Sequence, residues 1–342
     1  MIKHLEKLKY VAFTKRMAKS FIRRKGDWSI GIYTGESLFK FDSPKHINNP
    51  VLTAKDVTDV PAKFVADPFM VYENGSWYMF FEVLNASDNK GDIGLATSED
   101  CINWRYEEIV LDEPFHLSYP YVFKFQNDYY MIPESYEANS IRLYKAVDFP
   151  KKWSLVKTLL DGADYVDSSI FNYKGIWWMF TTSPKSDVLH LYYANDFMGN
   201  WILHPKSPVI EANLNIARPG GRVIVHDERI FRYTQDDEHL YGSKVRAFEI
   251  TELTTTTYVE KEVRENPILK ASGFGWNKTG MHNIDPHQII EGKWVACVDG
   301  YRIVFDFGIE LQYRIRILNQ LKEIIKLPLR AMNQKALSKT FM

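Results

Sequence analysis

The chain has 342 residues, 45% of them hydrophobic and 15% aromatic, and its formal net charge is zero. That length and apolar content exclude a disordered polypeptide and leave room for one large all-β domain or two ordinary ones. Two cysteines, Cys101 and Cys297, exclude a disulfide scaffold, and neither an apolar run of 18 residues nor a cleavable leader is legible, so the protein is expected to be soluble and cytoplasmic.

In chain order the first element is basic. Residues 1–25 carry nine Lys or Arg against Glu6 alone, and Leu5, Leu8, Val11, Ala12, Met17 and Phe21 recur at mostly helical intervals among them. The last element, residues 309–342, is similar. From Gln312 onward it holds seven Lys or Arg against Glu323, with Leu311, Ile315, Leu318, Leu321 and Ile325 on one helical stripe until Pro328 interrupts it. The remainder holds 27 Lys or Arg against 41 Asp or Glu, so a neutral total hides an acidic body with two basic ends. Such a body disfavours a nucleic-acid partner. Two readings fit the ends: helices packed on each other or on the rim of the acidic body, or helices lying in an anionic membrane surface, which would put the protein against the inner face of a membrane.

Between the ends one hairpin recurs. "ADPFMVYENGSWYMFFE" runs strand, Asn-Gly turn, strand, with Asp67 and Glu82 at its two tips. "YPYVFKFQNDYYMIPE" (Tyr119 to Glu134), "DSSIFNYKGIWWMFTT" (Asp167 to Thr182) and "GGRVIVHDERIFRYTQ" (Gly220 to Gln235) repeat its 15-residue offset, and "DPHQIIEGKWVACVD" (Asp285 to Asp299) is one residue shorter. After three of them a further β pattern closes on a tryptophan, Trp104, Trp153 or Trp201, read as core. "SKVRAFEITELT" follows the fourth. Four short strands repeated five times predict an all-β, five-bladed β-propeller over residues 26–308, with "WSIGIYTG" (Trp28 to Gly35) as the outer strand closing blade five.

In that fold the start of each inner strand and the end of its neighbour open on one face. Asp67, Tyr119, Asp167, Gly220 and Asp285 are therefore expected in a ring at one mouth, with Glu82, Glu134, Thr182, Gln235 and Asp299 beside them. Carboxylates gathered in an aromatic funnel are costly to bury unless paired or used, so that mouth is the expected active site.

"ADPF" and "VDSSIF" resemble the openings of blades one and three in the five-bladed glycosidases of family 43. More closely, "FVADPFMV", "GDIGLATSED", "HLSYPYVF", "YMIPES", "ARPGGR" and "GKWVACVDG" are similar to the N-terminal propeller domain of glucosamine inositolphosphorylceramide transferases, over roughly Trp28 to Arg302. The family-43 resemblance implies a general base at Asp67 and a carboxylate at Asp167 that orients the acid and tunes its pKa. The acid is a Glu opening blade four, where this chain has Gly220, so Glu134 or Glu82 would have to replace it. Inverting hydrolysis needs two carboxyl groups, one of them protonated.

Arg218 and Arg222 flank the two glycines, and His282 and His287 bracket Asp285. Guanidinium forks suit phosphate oxygens, which points to glycosyl transfer from a phosphate-activated donor, with both arginines holding the leaving group. The expected partners are a carbohydrate donor and acceptor, with His116, Tyr119, Glu82, Gln235, His282, Asp285 and His287 as further substrate contacts. No cofactor motif or metal-ligand spacing stands out. The alternatives are a family-43-like glycosidase and a non-catalytic sugar-binding propeller, since in the plant members transfer is attributed to a separate C-terminal domain.

Overall fold

The computed structural model describes residues 23–162 and 164–306. Among them are five antiparallel sheets, the blades of a β-propeller whose compact unit is Gly26–Arg302. From inside to outside, blade one is Ala62–Glu73, Ser76–Asn85, Gly91–Ser98 and Arg105–Leu111. Blade two is Ser118–Phe125, Asp128–Glu134, Ser140–Asp148 and Lys152–Asp161. Blade three is Val166–Tyr173, Ile176–Thr182, Leu189–Ala194 and Ile202–Leu203. Blade four is Ile224–His226, Arg229–Asp236, Lys244–Leu253 and Tyr258–Glu262, with the short Leu269–Lys270 also pairing its third strand.

Blade five takes its inner strands, Ile284–Ile290 and Lys293–Asp306, from late in the sequence. Its outer strands, Arg23–Ser37 and Lys40–Asp42, come from early in it, and this closes the ring. The Trp28 segment, expected as the outer strand closing blade five, does close it as the third strand, with the short Lys40–Asp42 at the edge. The helical ends predicted over residues 1–25 and 309–342 lie outside the described residues, except that Arg23, Arg24 and Lys25 already belong to the first strand and not to a helix. Among the described residues no helix is long and apolar enough to cross a membrane.

The hairpins form for local reasons. Asn74 and Gly75 have φ of 50° and 86°, and Lys174 and Gly175 have 51° and 80°, the double positive φ of a tight turn matched to strand twist. Behind the turns, large side chains fill the space between blades: Phe80, Tyr121, Met131 and Leu143 lie in one cluster, and Met79, Phe81 and Val83 in the next. The three repeated tryptophans pack as expected. Each indole N–H donates to a carbonyl three or four residues back: Trp104 to Cys101, Trp153 to Pro150, Trp201 to Phe197.

Candidate active site at one mouth of the channel

The inner strands of blades one to three carry the same defect. Ala66 pairs with Glu82 and Phe69 with Phe80, so Asp67 and Pro68 together face a single residue, a β-bulge. Blade two breaks register between Ser118 and Tyr121, and blade three between Val166 and Ser169. The bulged residues Asp67, Tyr119 and Asp167 have φ of 52°, 43° and 51°, a left-handed conformation unfavourable for L-residues. Strain repeated at three equivalent positions re-aims these side chains toward the channel.

Blade five has no such bulge. Ile284 pairs with Val298 and Asp285 with Cys297 without interruption. Asp285 therefore sits at the level of Phe69 and not of Asp67, one step deeper than the sequence repeat implies. There it accepts the Met70 backbone N–H at 2.6 Å, and Arg222 Nε and Nη2 at 2.5 and 3.2 Å. His287 Nε2 lies 3.0 Å away. Asp67 lines the mouth and the buried Asp167 stands behind it against Arg218; Asp285, Arg222 and His287 form a separate cluster that does not border the cavity. Burial raises the Asp285 pKa, but Arg222 and His287 outweigh it and hold the carboxyl at about 2.

Blade four explains the missing glutamate. A Cβ on Gly220 would lie 2.9 Å from Gln235 N, from the His282 carbonyl oxygen and from Thr234 C. On Gly221, at φ 146°, it would lie 1.9 Å from the Ile284 carbonyl oxygen. The glycines let the segment leading into the inner strand of blade four run directly against blade five, where Ile284 N–H donates to the Gly220 carbonyl at 3.0 Å. Tyr119 reaches across from blade two, and its hydroxyl accepts the Gly221 N–H at 2.8 Å and lies 2.9 Å from Ser169 Oγ. Fully buried, Tyr119 belongs to the floor of the site and not to its walls. No side chain fits at 220 without moving backbone.

Above that floor is a cavity of about 230 Å³. Its polar lining is Asp67, Glu82, His116, Ser118, Glu134, Arg218 and His282, and its apolar rim includes Phe64, Trp28 and Tyr241. A larger groove of about 500 Å³, lined by Asp100, Arg105 and Lys151 among others, lies on the outer side of blade one. Its Arg105 is largely exposed, so it lacks the buried charge of the mouth.

The charges at the mouth decide its chemistry. Arg218 is committed: Nε donates to Asp167 Oδ2 at 2.6 Å, Nη1 to Ser186 Oγ at 3.2 Å, and Nη2 lies 3.7 Å from Glu134 Oε2. Gln235, fully buried, donates to the same Asp167 oxygen at 2.7 Å, so it positions Asp167 and does not reach the cavity. His282 lies between two carboxylates, with Nδ1 2.7 Å from Asp299 Oδ2 and Nε2 3.6 Å from Asp67 Oδ1. Burial alone would lower its pKa; Asp299 and Asp67 overcome that and raise it to about 9. The Gly91 N–H donates to His116 Nδ1 at 2.9 Å, which assigns the neutral ring's proton to Nε2, 3.4 Å from Glu82 Oε1. Burial lowers the His116 pKa and keeps that ring neutral.

Five carboxyl groups, Asp67, Glu82, Glu134, Asp167 and Asp299, thus meet two cations, Arg218 and His282. They cannot all ionise. Burial raises Glu134 well above the usual carboxylate range, with Asp167 adding to it and Arg218 opposing. Burial also raises Glu82, helped by Asp67. Glu134 Oε2 is buried, makes no hydrogen bond among the described residues, and has the Arg218 guanidinium 3.7 Å away. Burial raises Asp67 to about 7, with His282 pulling down and Asp167 and Asp299 pushing up. A carboxyl poised near neutrality beside one held protonated is an acid–base pair.

Asp67, His282 and Asp299 each offer one metal-ligand atom, and these lie within 4.8 Å of one another, a grouping the sequence spacing did not suggest. Asp299 already accepts the backbone N–H groups of Asp67, His282 and Asn283 besides the imidazole. The Asp299 oxygens are taken up by these N–H donors, which fits a hydrogen-bonded ion-pair unit better than a cation cage. The sequence candidates also omitted Trp28 and Tyr241. Trp28 stacks on His282 with centroids 4.1 Å apart, and Tyr241 carries the Arg218 guanidinium 5.2 Å from its ring centre. Neither stands in a hairpin repeat, so no spacing marks them.

The family described as "Glucosamine inositolphosphorylceramide transferase 1, N-terminal" matches residues 22–301. The Oryza sativa subsp. japonica protein named glucosamine inositolphosphorylceramide transferase 1 is 37% identical over 303 residues, covering 81% of this chain and 40% of its own length. The Arabidopsis thaliana protein of that name is 35% identical over 303 residues, covering 81% and 39%. The chain thus spans about two fifths of the length of these relatives. Among solved structures, a putative glycoside hydrolase from Parabacteroides distasonis ATCC 8503 superposes with a TM-score of 0.55 at 12% identity, over 77% of this chain and 97% of that one. A thermostable family-43 glycoside hydrolase gives 0.51 at 14%, over 76% and 95%. At those identities the likeness concerns the fold alone. With the match extending from the closing strand of blade five through all five hairpins, the chain belongs to the family of glucosamine inositolphosphorylceramide transferase 1 N-terminal domains.

Proposed function

We propose that the mouth is a carbohydrate-active site that transfers a glycosyl unit to a hydroxyl acceptor. The observation that carries this reading is that Asp67 and the buried Glu134 line one small cavity together, with Asp67 near neutral pKa and Glu134 raised well above the carboxylate range despite Arg218 at 3.7 Å. As the acceptor oxygen bonds to the anomeric carbon, Asp67 takes its proton. As the bond to the leaving oxygen breaks, Glu134 supplies that oxygen with a proton. Asp167 holds Arg218 against Glu134, and so helps set the acid. Each proton transfer is worth roughly a hundred- to ten-thousandfold in rate.

A phosphate-activated donor is the finer form of this reading, and the relatives' name as transferases favours transfer over hydrolysis. Of the two arginines expected to hold such a leaving group, only Arg218 borders the cavity; Arg222 is held by Asp285. A phosphate leaving group needs no proton. The test is therefore to compare Glu134→Gln with the parent by mass spectrometry, using pooled nucleotide-sugars and, separately, neutral glycosides as donors with hydroxyl acceptors. Loss of transfer from neutral glycosides with retention from nucleotide-sugars supports the phosphate-activated donor. Loss from both supports Glu134 as a general acid throughout, and absence of turnover in the parent rejects the enzymatic reading in favour of a sugar-binding module.

A further inference from the structure

We infer that Asp299 and His282 form one buried unit that holds the base: Asp299 fixes both the Asp67 backbone and the imidazole, and the imidazolium stands as the counter-ion of the Asp67 carboxylate. The inference rests on the assignment of Asp67 as base and makes His282 a positioning residue, where the sequence suggested a substrate contact.

Asp299 is fully buried near the level of Asp67, and its Oδ2 accepts the Asp67 backbone N–H at 3.0 Å, which pins the strained bulge. Its Oδ1 accepts the backbone N–H groups of His282 and Asn283 at 3.1 and 3.0 Å. The imidazole Nδ1 lies 2.8 Å from Oδ1 and 2.7 Å from Oδ2, so Asp299 fixes that face of the ring. Nε2 is left pointing at Asp67 Oδ1, 3.6 Å away, an ion-pair distance.

Trp28 covers the ring, stacked at 30° with centroids 4.1 Å apart, and Tyr241 meets it edge-on at 5.4 Å. An indole face against an imidazolium adds a cation–π attraction. Gly242, at φ 62°, lets the loop come this close, because a Cβ there would lie 2.9 Å from both His282 Cβ and Trp28 Cη2.

The charges require such a unit. Facing His282 are the carboxylates of Asp299 and Asp67 and, opposing them, the Arg218 guanidinium. Facing Asp67 are His282, Asp167, Asp299 and Arg218, with Glu82 coupled to the same group. Buried carboxylates at this spacing repel one another, and without a cation between them Asp67 would keep its proton and lose its function as a base. A neutral imidazole could not supply that charge.

The test is a pH titration of the histidine Cε1–H signals by NMR on the full chain, with His282 assigned by the His282→Gln variant. The parent is expected to keep the charged shift through neutral pH and to titrate near 9. Asp299→Asn keeps an oxygen for the His282 and Asn283 N–H groups, removes the charge and the acceptor of the Asp67 N–H, and should lower that midpoint by at least one pH unit. A parent midpoint at the ordinary value, or an unmoved midpoint in Asp299→Asn, overturns the proposal. So does a shift of the His282 signal on adding one equivalent of calcium or zinc, which would make the trio a metal site. If Asp299→Asn does not fold, the His282→Gln pH profile decides. The acid limb of kcat/KM should move up by at least one unit, and an unmoved limb overturns the unit. Should the NMR result hold in a protein that turns over no donor, the proposed function fails while this unit stands.

Discussion

The Gly220–Gly221 step is the reason blade four offers no acid, and Gly221→Ala tests it. At this position the new methyl would lie 1.9 Å from the Ile284 carbonyl oxygen and 2.9 Å from Ile284 C. Both are backbone atoms, which cannot swing aside as a side-chain end would. Gly75→Ala is the matched control: it also has positive φ, 86°, but nothing lies within 4 Å of its Cβ. The control carries only the backbone term, about 1–2 kcal/mol for an L-residue in the left-handed region. Gly221→Ala adds overpacking, about 1–3 kcal/mol. It also strains the hydrogen bonds from Gly221 N–H to Tyr119 and from Ile284 N–H to Gly220, each worth about 1 kcal/mol. The expected loss is about 3–5 kcal/mol against about 1–2 for the control. Urea unfolding followed by tryptophan fluorescence reads both, at equal m-value. Equal losses in the two variants would refute the argument, because the close approach of blades four and five would then not exist in solution.

The other expectations concern charge. Asp67→Asn should lower turnover at least a hundredfold with folding intact, and in the parent activity should rise as pH passes through about 7, since Asp67 is protonated and inactive below it; a flat profile from pH 5 to 9 would remove it as the base. Arg222→Ala should destabilise the protein by about 3 kcal/mol, the lower end for a broken buried ion pair because His287 and the Met70 N–H still face Asp285, while any nucleotide binding read by calorimetry stays unchanged. Because Asp285 is held at about 2, below its unfolded value, its contribution to stability is present above pH 4 and is lost as pH falls toward 2, which acid unfolding of the parent against Arg222→Ala would show. If the basic ends meet an anionic membrane, the alternative to their packing on each other or on the rim, the full chain should sediment with anionic liposomes at low salt and be released at high salt, with residues 26–308 alone staying in the supernatant; a full chain that ignores the liposomes removes membrane contact.

The blades were legible because a hairpin is local. Asn74-Gly75 and Lys174-Gly175 state their turns in adjacent residues, alternating apolar positions state the strands, and a fixed offset between Asp67 and Glu82 or Tyr119 and Glu134 places both ends of each hairpin at one mouth. The acids of the site followed from the same periodicity. Its internal arrangement did not. A bulge adds one residue to one strand and leaves no mark in composition, so the repeat put Asp285 beside Asp67, and only the unbroken pairing of blade five set it one level deeper with Arg222. Arg218 and Arg222 look alike four residues apart, yet the glycine step between them sends one to Asp167 at the mouth and the other to Asp285 in the channel. Trp28 and Tyr241 reach the cavity from a closing strand and a loop, through contacts spanning most of the chain. The protonation of Glu134 and the charge of His282 depend on burial and on which groups face them across blades, and those are properties of the closed ring that no stretch of sequence contains.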